Sequence, residues 1–172
     1  MDMPTNSLRD ASTVYIVDDG ADYRFMVQRV FTQFLPQYKV TLFPGGNALL
    51  EHLQTNPVLP SLILLDLHMP GMSGLQTLLQ LKQERPENGS LPDIDAPAAA
   101  SPTSADSPPV SWPVRSIPVV VVTSSSSAQE IQACYDAGAN SCLAKPVGFG
   151  PLRQRLTLIC DYWINTNRPF LT

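Results

Sequence analysis

Five times along this sequence a short apolar run gives way to a stretch with helical spacing. That alternation restricts the fold more than any other feature. The runs are residues 14–17 (VYIV), 38–43 (YKVTLF), 61–65 (SLILL), 117–122 (IPVVVV) and 141–144 (SCLA). They are short, mostly β-branched or leucine-rich, and apolar at consecutive positions, the pattern of strands buried on both faces. Residues 21–34 bring Phe25, Met26, Val30, Phe31 and Phe34 to helical spacing, and 47–53 do the same with Leu49, Leu50 and Leu53 before Pro57. A third helix starts at Ser73 or Gly74 and runs to about Lys82, with Leu75, Leu78, Leu79 and Leu81. Residues 128–137 form a fourth, opened by the serines at 124–127 and closed by Gly138. Residues 149–164 form a fifth, with Leu152, Leu156, Ile159 and Trp163 on one side.

Strand and helix alternating five times predict an α/β fold: a doubly wound, five-stranded parallel sheet with helices on both faces and right-handed crossovers. In such a sheet the functional crevice lies beyond the C-terminal ends of the strands. One domain is expected over 13–165, with a flexible start at 1–12 and a tail at 166–172. Residues 86–114 interrupt it with seven of the 17 prolines, PAAASPTSADSPP at their centre. Proline at that density excludes a helix or a central strand. The segment is expected to be a disordered insertion in a surface loop, whose closure cost grows only logarithmically with length. Trp112 and the prolines around it offer a docking segment as an alternative to plain linker.

Composition narrows the function. An apolar content of 44% with 15% charged residues is globular, and a net charge of −4 without a basic run argues against a nucleic-acid surface. Cys134, Cys142 and Cys160 lie outside any CxxC or Cys/His spacing, as expected for free thiols in a reducing compartment. The first residues, MDMPTNSLRDAS, lack the apolar centre of a signal peptide, and every apolar run is too short for a membrane span. A cytoplasmic protein with no membrane partner is expected.

The residues at the strand ends carry the chemistry. The first run ends in Asp18-Asp19, the third in Asp66, the fourth in Thr123-Ser124 and the fifth in Lys145-Pro146. Alone, each has an ordinary reading: a helix cap for either aspartate after the first run, a turn for Asp66, a solvated side chain for Lys145. Together, on neighbouring strands, they converge on one edge. Three carboxylates repel unless a cation intervenes, and a hard divalent ion such as Mg2+ accepts such oxygen ligands. Asp66 is then placed as a nucleophile toward phosphorus at an exposed strand end, Lys145 as the ion-pair partner, and Thr123 as a hydrogen-bond donor to the transferred group. A cis bond at Lys145-Pro146 is one way to aim the lysine inward.

VYIVDDG, LILLDLHMPGMSG, VVVVTS and CLAKPV resemble the signature segments of response-regulator receiver domains of two-component signalling. The resemblance spans 14 to about 163 apart from the insertion, and implies a flavodoxin-like (βα)5 fold with strand order 2-1-3-4-5. It implies Asp66 as phosphoacceptor, Lys145 and Thr123 as its catalytic partners, and a metal held by Asp19, by Asp18 through water, by Asp66 and by the backbone carbonyl of His68. The metal implied is Mg2+, with Mn2+ as a substitute; no organic cofactor is implied. The His68 side chain and Ser125 match rim positions that influence how fast phosphate is lost. The partner implied is a sensor histidine kinase or phosphotransfer protein.

The segment GANSCLAKPV and the aromatic-rich end DYWINTNRPF are similar to single-domain regulators paired with bacterial phytochromes. Those tend to form a homodimer through the fourth helix, fifth strand and fifth helix, to which Tyr162, Trp163 and Phe170 would contribute. One departure stands out: three residues before Lys145, where the family usually has an aromatic switch residue, this chain has Cys142. Only nine residues follow Trp163, so a stand-alone receiver is expected, catalysing nothing beyond its own phosphorylation and dephosphorylation. The rivals are a degenerate receiver that binds partners unphosphorylated and an aspartate-nucleophile phosphatase. The second needs an acid two residues after Asp66, where His68 stands.

Overall fold

The computed structural model describes residues 12–56, 58–82, 114 and 116–167. The expectations for 1–11, for the insertion up to 113, for Trp112 and for Phe170 in the tail lie outside the described residues. The described elements alternate as β1 (Thr13–Val17), α1 (Ala21–Phe34), β2 (Lys39–Phe43), α2 (Gly46–Thr55), β3 (Leu62–Asp66), α3 (Gly74–Lys82), β4 (Val119–Thr123), α4 (Ala128–Asp136), β5 (Ser141–Ala144) and α5 (Phe149–Cys160). A π-helical segment, Asp161–Thr166, continues α5, where the sequence predicts an uninterrupted helix.

All strands pair in parallel in the order β2-β1-β3-β4-β5. The consecutive apolar residues serve two cores. Tyr15, Val17, Ile63, Leu65, Val119 and Val121 face a core closed by residues of α2, α3 and α4. Val14, Ile16, Leu62, Leu64, Val120 and Val122 face the other, closed by α1 and α5. Burial on both faces explains why β3 and β4 lack polar alternation, and each fully buried Val or Leu contributes about 1.5–3 kcal/mol. Tyr15 carries the one polar group among the buried side chains of β1, and its hydroxyl donates to Val58 O at 3.3 Å.

Val114 lies at the end of the range read as a disordered insertion, yet it is buried and accepts a hydrogen bond from Ile117 N at 3.2 Å. The main chain therefore re-enters the core before the fourth strand begins, because an aliphatic side chain there completes the floor of the first core. Trp163 is partly buried against the second core, while Tyr162 beside it is 53% exposed. The aromatic pair read as one surface is thus divided between packing and exposure.

Candidate phosphoryl-acceptor site

The parallel register brings the ends of β1, β3, β4 and β5 to one edge of the sheet. Val17 pairs with Leu65, Asp66 with Val122, and Thr123 with Ala144. Asp18, Asp66, Thr123 and Lys145 therefore follow or end adjacent strands at one level, although Asp66 and Lys145 are 79 residues apart in sequence.

Lys145 joins the cluster. Its Nζ donates to Asp66 Oδ2 at 3.0 Å and forms a second ion pair with Asp18 Oδ2. The Lys145 side chain is 18% exposed and those of Asp18 and Asp66 are 3% and 7% exposed, so these pairs are little screened by water. The structure differs from the sequence reading at two points here. No described peptide bond is cis, so Lys145 is aimed inward by a trans bond to Pro146, and Lys145 N donates to Thr123 O at 2.8 Å, fixing the start of that turn on β4. Asp66 is also buried, not at an exposed edge: it is the last residue of β3, and Lys145 supplies the counter-charge that its burial requires.

Asp18 Oδ1 accepts from Gly20 N at 2.9 Å, turning the chain into α1, and Arg24 Nη1 donates to the Asp18 carbonyl at 2.6 Å. Neither aspartate caps the helix, since Gly20 stands at that position. Asp19 is exposed. Asp18, Asp19 and Asp66 each offer a carboxylate oxygen, all within 4.8 Å of one another, a donor set that fits a hard divalent cation. Burial pushes the Asp18 carboxyl above its usual 3.8, against the opposing pull of Lys145 and Gly20 N–H. Burial also works against the Lys145 ammonium, but hydrogen bonds to Asp18 and Asp66 outweigh it and raise Lys145 above its usual 10.5. Both shifts are upward: that favours the neutral form of Asp18, the more deeply buried partner, and the charged form of Lys145, which has two acceptors.

The raised lysine implies a pH dependence. A group whose folded pKa exceeds its unfolded value stabilises fully below the unfolded value and loses that contribution as pH rises through the folded one. Stability is therefore expected to fall above about pH 10.5, the ordinary lysine value. Tyr23, also raised by burial and by Asp18 and Asp66, acts in the same direction. Urea midpoints followed into alkali should decline less steeply in Lys145→Met than in the wild type. An equal slope would remove Lys145 as a source.

Thr123 is 2% exposed, and its Oγ1 accepts from Ser125 N at 3.0 Å and lies 3.4 Å from His68 Nδ1. His68 N donates to Asp66 Oδ1 at 3.4 Å. The His68 ring reaches outward, with Nε2 3.1 Å from Glu130 Oε1. Cys142 is half-buried in β5, and its N–H donates to the Tyr135 hydroxyl at 3.2 Å.

Residues 14–92 match the model of the response regulator receiver domain. The chain carries a receiver domain. It is 27% identical over 156 residues to the response regulator Rcp1 of Synechocystis sp., covering 88% of this chain and 87% of that one. It is 26% identical over 163 residues to a probable methanogenesis regulatory protein, FilR2, of Methanothrix harundinacea, covering 92% and 88%. A longer relative, the DNA-binding transcriptional regulator NtrC of Klebsiella pneumoniae, is 33% identical, but only 30% of its length is spanned. Among solved structures, the Mn(2+)-bound form of Rcp1 superposes with a TM-score of 0.67 at 22% identity, over 93% of this chain and 99% of that one. The phosphorylated cyanobacterial phytochrome response regulator RcpA does so at 0.68 and 21%, with the same coverage. At those identities the superpositions establish the flavodoxin-like receiver fold with its strand order. Among the described residues no helix is long and apolar enough to cross a membrane.

Two residues of the receiver site escape a reading of the strand ends. Tyr23 lies one turn into α1, and the Lys145 ammonium sits 4.3 Å from the centre of its ring, a cation–π contact that helps hold the lysine. Glu130 is the fourth residue of a Ser-x-x-Glu box starting at Ser127, a spacing that signals helix capping. Ser127 Oγ does accept from Glu130 N, but the Glu130 carboxylate turns to His68.

Proposed function

We propose that this receiver domain accepts a phosphoryl group on Asp66 from a phosphohistidine of a sensor histidine kinase or phosphotransfer protein. The observation that carries the reading is the Lys145 ammonium held between Asp66 and Asp18 at the sheet edge. An Asp66 carboxylate oxygen attacks phosphorus. The O–P bond forms as the N–P bond of the donor breaks, and the imidazole leaves with the electron pair of that bond. Lys145 stays paired to the product, and Thr123, one residue beyond the register partner of Asp66, donates its hydroxyl to a phosphoryl oxygen. Asp18, Asp19, Asp66 and the His68 carbonyl would hold a divalent cation. That cation, Mg2+ or Mn2+, supplies charge neutralisation on the transferring oxygens. The Mn(2+)-bound form of Rcp1 and the phosphorylated form of RcpA support a receiver of this kind.

The new dianion biases a two-state equilibrium of the loop after Thr123 and of the face formed by α4, β5 and α5. Tyr135, Leu158 and Tyr162 are exposed on those elements and on the segment continuing α5, which supports docking of a partner or a homodimer there. In this reading the protein is cytoplasmic and turns over nothing but its own phosphoryl group.

Incubation with acetyl phosphate and Mg2+, followed by intact mass, is expected to add one phosphoryl group to the wild type and none to Asp66→Asn. An unmodified wild type would favour a receiver that works unphosphorylated. An adduct surviving the substitution would move the site elsewhere, and turnover of small phosphoesters would favour a phosphatase.

A further inference from the structure

His68 bridges two elements at the mouth of the acid cluster. Its Nδ1 is 3.4 Å from Thr123 Oγ1, at the end of β4, and its Nε2 is 3.1 Å from Glu130 Oε1, in the first turn of α4. A carboxylate only accepts, so Nε2 carries the hydrogen. In the neutral ring Nδ1 is then the acceptor, and Thr123 donates to it. Thr123 Oγ1 accepts from Ser125 N at 3.0 Å, Ser125 Oγ from Ser127 N at 3.1 Å, and Ser127 Oγ from Glu130 N at 3.4 Å. Thr123, His68, Glu130, Ser127 and Ser125 thus form a closed ring of hydrogen bonds joining the switch hydroxyl to α4. A hydroxyl has one hydrogen, and while it goes to His68 no oxygen on Asp66 can receive it.

We propose that Glu130 is a positioning residue for phosphoryl acceptance: through His68 it holds the Thr123 hydroxyl in its unphosphorylated orientation. The inference rests on Asp66 being the phosphoryl acceptor. A phosphoryl group there draws the Thr123 hydrogen out of the ring, releases His68 from β4 and loosens the tie between the site and the first turn of α4. Cys142 cannot take this part, since its side chain is too short to swing as an aromatic side chain does. The ring therefore acts where an aromatic side chain would otherwise report the state of Thr123.

The His68 and Glu130 side chains are 54% and 41% exposed, so water weakens their contact and the effect is modest. The test is titration of the full chain with beryllium fluoride and Mg2+, a phosphoryl mimic, followed by calorimetry. Glu130→Ala releases the competing orientation and is expected to tighten the mimic about threefold. Glu130→Gln keeps a neutral acceptor and falls between the two. His68→Ala tightens it similarly, and the double variant tightens it no further than either single one, because both act through one chain of contacts. Affinity in Glu130→Ala equal to or weaker than wild type overturns the proposal, as does an additive double variant. If alanine unseats α4, seen as lost helical circular dichroism, Glu130→Gln decides alone, and its affinity must exceed wild type. A wild type that takes up no mimic refutes the acceptor reading itself, a result distinct from an unchanged variant.

Discussion

Lys145→Met is expected to lower the free energy of unfolding by about 3 kcal/mol near neutral pH and to abolish stable phosphoryl retention. Methionine preserves length and most packing but removes the charge that two buried carboxylates share. Asp18 and Asp66 are then left facing one another at 3% and 7% exposure, with Asp19 close by. Removing one partner of a buried pair costs more than the pair was worth, because the remaining charge stays desolvated. Burial already pushes the Asp18 carboxyl up against the pull of Lys145, and the variant removes that pull, so the deficit belongs to the ionised form. It should shrink as pH falls toward the ordinary aspartate value of 3.8. Added Mg2+ should restore more stability to the variant than to the wild type. Urea unfolding across that pH range, with and without the cation, measures all three effects. A deficit that stays constant with pH would mean that lost packing against Tyr23, not lost charge, accounts for it.

Gly74→Ala is expected to cost about 3 kcal/mol and to abolish binding of the phosphoryl mimic. A Cβ at Gly74 would lie 2.1 Å from the Asp66 carbonyl oxygen and 2.7 Å from Leu67 Cα. Both are backbone atoms, so no rotamer relieves the clash. Gly74 N also donates to Leu67 O at 2.9 Å, which draws the start of α3 against the end of β3. Either α3 retreats or Asp66 moves, and a displacement of about 1 Å at a reacting group costs on the order of a hundredfold. Gly71→Ala is the control. Gly71 has φ of +78°, but a Cβ there meets nothing within 4 Å. It should cost about 1–2 kcal/mol of backbone strain and leave mimic binding intact. Thermal unfolding and calorimetry on both variants distinguish them, and equal losses of binding would defeat the steric account.

Most of the architecture was legible because burial on two faces leaves a simple mark. Before their last residues, β4 and β3 have nowhere to place a polar side chain, so the aliphatic runs at 119–122 and 62–65 stand out. Element ends shifted by a residue or two, since the terminal hydrogen bonds of a parallel strand depend on its neighbours: the fourth strand starts at Val119 where its run starts at Ile117. Asp18, Asp19, Asp66, Thr123 and Lys145 were legible as a site because a parallel sheet forces strand ends together. Gly74 looked only like a helix start, because close approach of α3 to β3 leaves no trace in local pattern. Tyr23 and Glu130 were hidden for the same reason, their partners being 122 and 62 residues away in sequence.

The sequence by itself determined the alternation of strands and helices, the parallel sheet and the set of groups gathered at one edge, because each follows from periodicity and from residue type at strand ends. Only the tertiary structure decided that Asp66 is buried, that Lys145 is shared between two aspartates through a trans bond, and that His68 ties Thr123 to Glu130. Those outcomes depend on ångström-scale distances between elements, and hydrogen bonds and ion pairs exist only where packing brings donor and acceptor within reach.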